Sequence, residues 1–508
     1  MISWIGECIF YELFLLGFCG VLEPGKKYEE KNRLKKVIEF IPHFKEMKVN
    51  AVYLGPVFES TYHGYDTIDY FKIDKRLGTN EDFKELCDKL HDNDIKIVID
   101  GVFNHVGRDF FAFKDVQENR DKSRYCSWFV NLDFNGNTPE NDGFYYEPWN
   151  RCFDLVKLNV WNEEVCEYLF KALDFWVDEF SIDGVRIDAA DSIDFSFFRK
   201  LRNHINYKKE DLWLMGEVIH GDYSRWANDE MLHTTTNYEC YKGLYSSHND
   251  RNYFEIAHSF RRQFEKGGIY EKLCLYNFVD NHDVNRLASV IKNPEHIYNI
   301  YTLLYTMPGI PSVYYGSEYG IKAVKGKNTD LPLRPELDID SLKDADKKLF
   351  KLICSLGEIR SKSEAIKHGT YNPIIIKNEQ FIFLRKFKDE EIYVALNLDD
   401  KAVEVNCNIN VHSGINLLTE KEVTIDGKIY IQPYGRGELH THGYCRAGKL
   451  YCRNHANAVQ RECYRHKQHF GAEFKLLGPY ERRKHKARYQ RAHSAYKHAW
   501  QLNILHQY

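Results

Sequence analysis

Four short segments hold the residues whose types and spacing could do chemistry: DGVFNH (100–105), GVRIDAADS (184–192), GEV (216–218) and FVDNHD (278–283). Each ends or follows a short β-branched or aliphatic run. Asp188 and Glu217 close two consecutive runs. Neighbouring parallel strands lie about 4.8 Å apart, so these two carboxyls could stand side by side. Paired in that way, one carboxylate can attack a carbon while a carboxylic acid protonates the departing oxygen. Cleavage of a glycosidic bond with retention needs such a pair about 5–5.5 Å apart. Arg186 lies two residues before Asp188, on the same side of a strand, where its charge would hold that carboxylate ionised.

The elements that must position these groups are legible as eight strand-like runs, 9–15, 49–54, 95–100, 182–188, 212–217, 232–236, 273–279 and 310–315, separated by helical patterns at 31–47, 79–93 and 163–180. Strands alternating with helices predict an α/β chain folded as a (β/α)8 TIM barrel, whose active sites sit at the C-terminal ends of its strands. The stretch between His105 and Leu158 is rich in Gly, Asn, Pro and aromatics and too long for an ordinary βα loop. It predicts an inserted lobe after strand 3. Period-2 patches over 359–434 predict a C-terminal antiparallel β-domain. The expected organisation is a barrel in two parts (1–104 and 159–358), the lobe at 105–158, the β-domain at 359–435 and a tail at 436–508.

In order and separation the four segments resemble the signature regions of the α-amylase family of glycoside hydrolases, and the resemblance runs from residue 1 to about 435. It implies Asp188 as nucleophile, Glu217 as acid/base and Asp283 as a third acid that grips sugar hydroxyls and favours the cation-like transition state. His105 and His282 match histidines that hydrogen-bond the same sugar, and Arg186 belongs to the same substrate-binding group. Burial would raise the Glu217 carboxyl and keep it protonated for its task. In HGYD, Tyr65 matches a ring that stacks under the reacting glucose. Asp66, followed by TIDY, resembles a residue that binds the terminal sugar in oligosaccharide-cleaving members, and Arg334, in LPLRP, resembles the arginine that pairs with it.

Departures narrow the reading. Asp191 and Ser192 stand where starch-liquefying members carry Lys-His, which argues against an enzyme of long polymers. Asn104 matches a calcium-binding Asn of many members but is the one clear ligand candidate; no cofactor is required, no metal site is assigned, and calcium stays open. The chain starts at the barrel, without the N-terminal β-domain of many cyclodextrin-cleaving relatives. The apolar start lacks a basic leader and contains Glu7 and Glu12, so it reads as a buried first strand rather than a secretory signal. Thirteen scattered cysteines suit a reducing compartment, and the cytoplasm is expected.

The tail breaks the pattern. Residues 436–508 carry 15 Lys and Arg, four Glu, no Asp and nine His, whereas the whole chain is at −4. Cys445, Cys452, His455, Cys463 and His466 match no common zinc-finger spacing. A nucleic-acid-binding tail and a sequence read out of frame both remain open. The expectation is hydrolysis of α-1,4-linked glucose oligomers such as maltodextrins or cyclodextrins, with an α-glucan oligosaccharide as partner, no nucleic acid, no membrane and an undetermined oligomeric state. The rivals are transglycosylation through the same intermediate and a non-catalytic sugar-binding or scaffold relative. Such relatives lose one or more acids, and all three are kept here.

Overall fold

Eight mainly apolar runs become eight parallel strands because strands covered on both faces favour apolar residues on both. The strands of this computed structural model are β1 (Phe10–Leu13), β2 (Ala51–Leu54), β3 (Lys96–Gly101), β4 (Gly184–Ile187), β5 (Trp213–Gly216), β6 (Thr234–Thr235), β7 (Tyr276–Asn277) and β8 (Ile310–Tyr314). The structure describes residues 2–434 except 328, 339, 341, 343–346 and 410, together with the backbone of Tyr444–Ala447. The strands run in the order β6-β5-β4-β3-β2-β1-β8-β7. A parallel bridge from Thr236 to Tyr276 joins the last pair and closes the barrel. All eight expected runs contain a barrel strand.

Helices with one apolar stripe cover the outside. α1 (Asn80–His91) starts at a capping box in which Thr79 and Asp82 satisfy each other's backbone N–H. α2 (Glu163–Phe180) is capped by Asn162 and buries Val165, Leu169, Ala172, Leu173, Trp176 and Phe180, a three-and-four spacing that points one face inward. Trp176 is sandwiched between Phe58 and Phe103, at ring distances of 4.5 and 5.6 Å. It thereby fixes the segment that leads to His105. α3 (Phe195–Lys208), capped by Asp194, follows the turn beyond Asp188. The expected helix at 31–47 is instead two short helices, Lys35–Glu39 and Ile41–Glu46, because Pro42 starts the second.

The insertion after β3 forms a lobe with a three-stranded antiparallel sheet, His105–Gly107, Cys152–Lys157 and Pro148–Trp149. A hairpin, Phe58–Ser60 with Thr67–Ile73, projects from β2 and carries Tyr65 and Asp66.

Inside the barrel Phe10, Ala51, Tyr53, Val98, Trp213, Met215, Tyr276 and Ile310 form one buried apolar cluster. α4 (His296–Thr306) leads into β8, and α5 (Lys348–Lys362) crosses to the second domain. The antiparallel strands begin at Thr370 rather than 359. Residues 359–362 are helical, the end of α5, whose buried Leu349, Ile353 and Leu356 show helical spacing. β9 (Thr370–Ile376), β10 (Gln380–Phe387) and β11 (Glu390–Asn397) pair in sequence. Tyr444–Ala447 lies between β11 and Ser413–Asn416, so the sheet takes in backbone beyond 435. The rest of the basic tail, with the side chains of Cys445, Cys452, His455, Cys463 and His466, lies outside the described residues.

Candidate active site

Register, more than distance along the chain, assembles the site. Ile187 of β4 stands opposite Gly216 of β5, and Glu217 N donates to Ile187 O at 3.0 Å. Asp188 and Glu217 are therefore the next pair along adjacent strands. One guanidinium ties them together. Arg186 Nη1 donates to Asp188 Oδ1 at 2.8 Å and to Asp100 Oδ1 at 2.9 Å, while its Nη2 lies 3.0 Å from Glu217 Oε2. Immediately after Asp188, Ala189 takes up left-handed backbone, φ 44° and ψ 42°. A non-glycine residue there is strained, and the twist turns its N–H onto Glu217 Oε2 at 3.0 Å.

Asp283 follows β7 and is clasped from two sides, by His282 Nε2 at 3.0 Å and Arg334 Nη2 at 2.8 Å. Its side chain is 31% exposed, whereas those of Asp188 and Glu217 are each 11% exposed. The third carboxylate thus stands at the opening and the other two beneath it. The Tyr65 hydroxyl donates to Asp100 Oδ2 at 3.1 Å, lies 2.5 Å from His282 Nε2, and its ring stacks on that of His282. His105 Nε2 points toward Asp188 Oδ2 across 3.8 Å, is fully enclosed, and has no hydrogen-bond partner.

Burial first, and then the acidic and basic neighbours, set the protonation of these groups. Burial pushes Asp188 up to about 8, with Glu217 and Asp100 adding to the rise and Arg186 opposing it. Burial likewise raises Glu217, against Arg186. The two titrate as a pair that keeps a proton near neutrality. Burial would also raise Asp283, but His282 and Arg334 outweigh it and hold that carboxylate well below the usual range. For His282, burial is overcome by Asp283 and Glu12, and its imidazolium persists to about 10. His105 is the opposite case: burial lowers it to about 3, so it is neutral.

The expected groups Asp188, Glu217, Asp283, Arg186, His105, His282 and Tyr65 converge at the barrel mouth. One expected contact is corrected. Asp66 and Arg334 form no ion pair, because Asp66 turns back on its own hairpin and accepts from the N–H groups of Tyr62, His63 and Gly64 at 2.7, 3.0 and 3.0 Å. It is an internal cap that holds the turn presenting Tyr65. Gly64, at φ 94° and with Pro56 against the position of a Cβ, permits that turn. Arg334 instead serves Asp283, stacks on Phe14 at 4.4 Å and lies 3.6 Å from Asp330.

Other groups were missed in the sequence. Glu12, on β1, holds His282 Nδ1 at 2.6 Å; a lone acid inside the run FYELFLL was its signal. Tyr53 donates to Asp100 at 2.6 Å, and Tyr238 and Asn281 stand beside Glu217 and Asp283. Trp149 of the lobe packs against His105 at 5.4 Å, and its strand of two residues is too short to leave a periodic trace.

Asn104, the calcium candidate of the sequence, would have to share that ion with five or more further oxygens. Its amide nitrogen faces His105 Nδ1 at 3.1 Å. Among the described residues the one grouping of three His, Cys, Asp or Glu ligand atoms is Glu7, Glu364 and His368, exposed and next to Lys367. No step below is routed through a metal.

Comparison with known proteins agrees with this geometry. Residues 28–348 match the alpha-amylase catalytic-domain family. A cyclomaltodextrinase of Thermoanaerobacter pseudethanolicus is 30% identical over 452 residues, 85% of this chain and 77% of that protein. An intracellular maltogenic amylase of Bacillus subtilis is 27% identical over 413 residues, 77% and 68% of the two chains. A solved cyclomaltodextrinase superposes with a TM-score of 0.73 at 26% identity, covering 88% of this chain and 77% of that one. The fold is shared as well by a cyclic α-maltosyl-(1→6)-maltose hydrolase of Arthrobacter globiformis, with a TM-score of 0.75 at 24% identity over 88% of this chain and 100% of that one.

Proposed function

This chain belongs to the alpha-amylase family of glycoside hydrolases, and on that premise we propose that it cleaves α-1,4-glucosidic bonds of maltodextrins or cyclodextrins with retention of configuration. The observation that carries the reading is the side-by-side placement of Asp188 and Glu217 on adjacent strands, bridged by Arg186. Strands about 4.8 Å apart bring their two carboxyls within reach of the separation that a covalent glycosyl intermediate needs, about 5–5.5 Å.

In the first half-reaction Asp188 forms the new bond to the anomeric carbon as the glycosidic C–O bond breaks. The bonding pair stays on the leaving oxygen, which takes the proton of Glu217. In the second, Glu217, now a carboxylate, removes a proton from water, and the resulting oxygen displaces Asp188 from the same carbon. Asp188 Oδ1 is occupied by Arg186, which leaves Oδ2 to attack. The unpartnered His105 Nε2 beside Oδ2 is a donor or acceptor awaiting a sugar hydroxyl. Asp283 stays ionised and offers charge-assisted acceptance to ring hydroxyls.

The substrate class follows the relatives, cyclomaltodextrinases and maltogenic amylases. The cytoplasm is the proposed compartment. One relative is named intracellular, and ten cysteines of the described residues are free thiols, as a reducing compartment keeps them. Among the described residues no helix is long and apolar enough to cross a membrane. Incubation with maltotriose and with β-cyclodextrin, followed by product chromatography and proton NMR of the first-formed anomer, tests the proposal. Glucose and maltose released in the α configuration are expected. β-Anomeric products would exclude retention, and products longer than maltotriose formed from maltotriose itself would show transfer to a sugar in place of hydrolysis.

A further inference from the structure

The two oxygens of the Glu217 carboxyl have unlike surroundings. Oε2 accepts from Ala189 N and lies in ion-pair contact with Arg186 Nη2, both at 3.0 Å. A carbonyl-type oxygen has two lone pairs, so Oε2 is saturated. Oε1 has one near partner among the described residues, the hydroxyl of Tyr238 at 3.5 Å. A proton carried by Glu217 therefore sits on Oε1, next to that hydroxyl.

Tyr238 opens the helix Tyr238–Asn249, directly after β6. Its ring is set edge-on against Phe278 at 4.9 Å, which fixes the direction of the phenol. Asn281 Nδ2 donates to the hydroxyl oxygen at 3.2 Å. That bond occupies a lone pair and leaves the hydroxyl hydrogen to turn toward Oε1. Asn281 is itself held, since its Oδ1 accepts from Asp283 N and Val284 N at 2.9 and 3.1 Å. A chain of hydrogen bonds thus runs from the Asp283 loop through Asn281 and Tyr238 to the one open oxygen of Glu217.

We propose that Tyr238 is a positioning residue for Glu217, donating its hydroxyl hydrogen to Oε1 whenever that oxygen has given up its proton. The inference rests on reading Glu217 as the acid/base. The charged and titratable groups that face Glu217 are Arg186 and Asp188 from β4, His282 and Asp283 from the loop after β7, and Tyr238 from the loop after β6. Burial and the two carboxylates favour the protonated form, while Arg186 acts on the other oxygen. Tyr238 acts on the oxygen that loses and regains the proton. A hydrogen bond made to the ionised form lowers the pKa, so Tyr238 eases delivery of the proton to the leaving oxygen and steadies the carboxylate that must next accept one from water.

Tyr238→Phe removes the hydroxyl and keeps the ring. Titration of the carboxyl C=O stretch by infrared spectroscopy, with the Glu217 band assigned by its loss in E217Q, should show the Y238F pKa about half to one unit above the parent's. The alkaline limb of kcat/KM on maltotriose should move by the same amount, with kcat reduced roughly three- to tenfold, KM unchanged and the melting temperature within two degrees. An unmoved or lowered Glu217 pKa overturns the proposal, including the case in which the variant only melts earlier. If the parent leaves maltotriose uncut, the functional reading falls, while the infrared titration still decides whether Tyr238 acts on Glu217.

Discussion

Buried arginines stand at both ends of the barrel, and the two ends satisfy them in opposite ways. At the mouth, Arg186 faces Asp100, Asp188 and Glu217 within 3.0 Å. Burial would lower it, yet Asp100 and Glu217 hold it well above the ordinary arginine value. At the floor, Arg360 and Arg385 meet no carboxylate. Arg360 donates to the carbonyls of Tyr305 and Gly309 at 3.0 and 2.6 Å, and Arg385 to those of Thr306 and Gly369 at 2.5 and 2.8 Å. Burial lowers them to about 10 and 9, and Arg385 is lowered further by Arg360. Tyr305 and Thr306 end α4, where unpaired carbonyls and the helix dipole present negative charge.

The floor therefore uses cations, through backbone carbonyls, to fasten the end of α4 to α5 and β10, with one donor, Arg360 Nε, left unpartnered. The mouth packs more carboxylates than its cations neutralise and leaves His105 Nε2 unpartnered. Natural sites bear such local cost where activity requires it. A charged cluster that raises its own carboxyls is poorly arranged for stability and well arranged for proton transfer.

The largest effect that could break this comparison is on turnover. Asp188→Asn should lower kcat on maltotriose by about 10⁴-fold or more, because an amide cannot form the glycosyl ester. Activity within tenfold of the parent would mean that the mouth is charged for some other purpose. Next in size is a change at the floor. Arg360→Met strips the donors from two buried carbonyls, and unsatisfied buried groups cost about 1–3 kcal/mol each. The melting temperature should fall by several degrees, while kcat/KM at 25 °C stays within about twofold. A loss of activity at unchanged melting temperature would assign function to the floor.

The smallest effect sharpens the sign. In the folded state the Asp188–Glu217 pair is raised, with its upper titration at about 8, above the value of about 3.9 for an unfolded Asp. The folded form then binds more protons than the unfolded one between those values, so this group subtracts stability increasingly as pH rises from 4 to 8. Asp188→Asn should consequently melt about one to three degrees higher than the parent at pH 9, a gain that vanishes near pH 4. Scanning calorimetry across that range measures it, and a variant that melts lower at pH 9 would show that Asp188 stabilises the fold.

Eight strands, their helices and the long insertion were legible in the sequence because apolar periodicity is a local property that survives in the folded chain. Asp188, Glu217 and Asp283 were legible as well, since each lies at a strand end within a recognisable segment. Glu12 and Tyr53 were hidden among apolar neighbours, and their partners, His282 and Asp100, are 270 and 47 residues away. The fate of Asp66 was decided by a hairpin that folds its own N–H groups onto the carboxylate, leaving Arg334 to Asp283. Residue type, strand period and the resemblance of four segments were enough to single out which carboxyls meet at the barrel mouth. Which oxygen of Glu217 carries the proton depends on strand register, on the twist at Ala189 and on a tyrosine delivered by the helix after β6, and only tertiary structure brings these together.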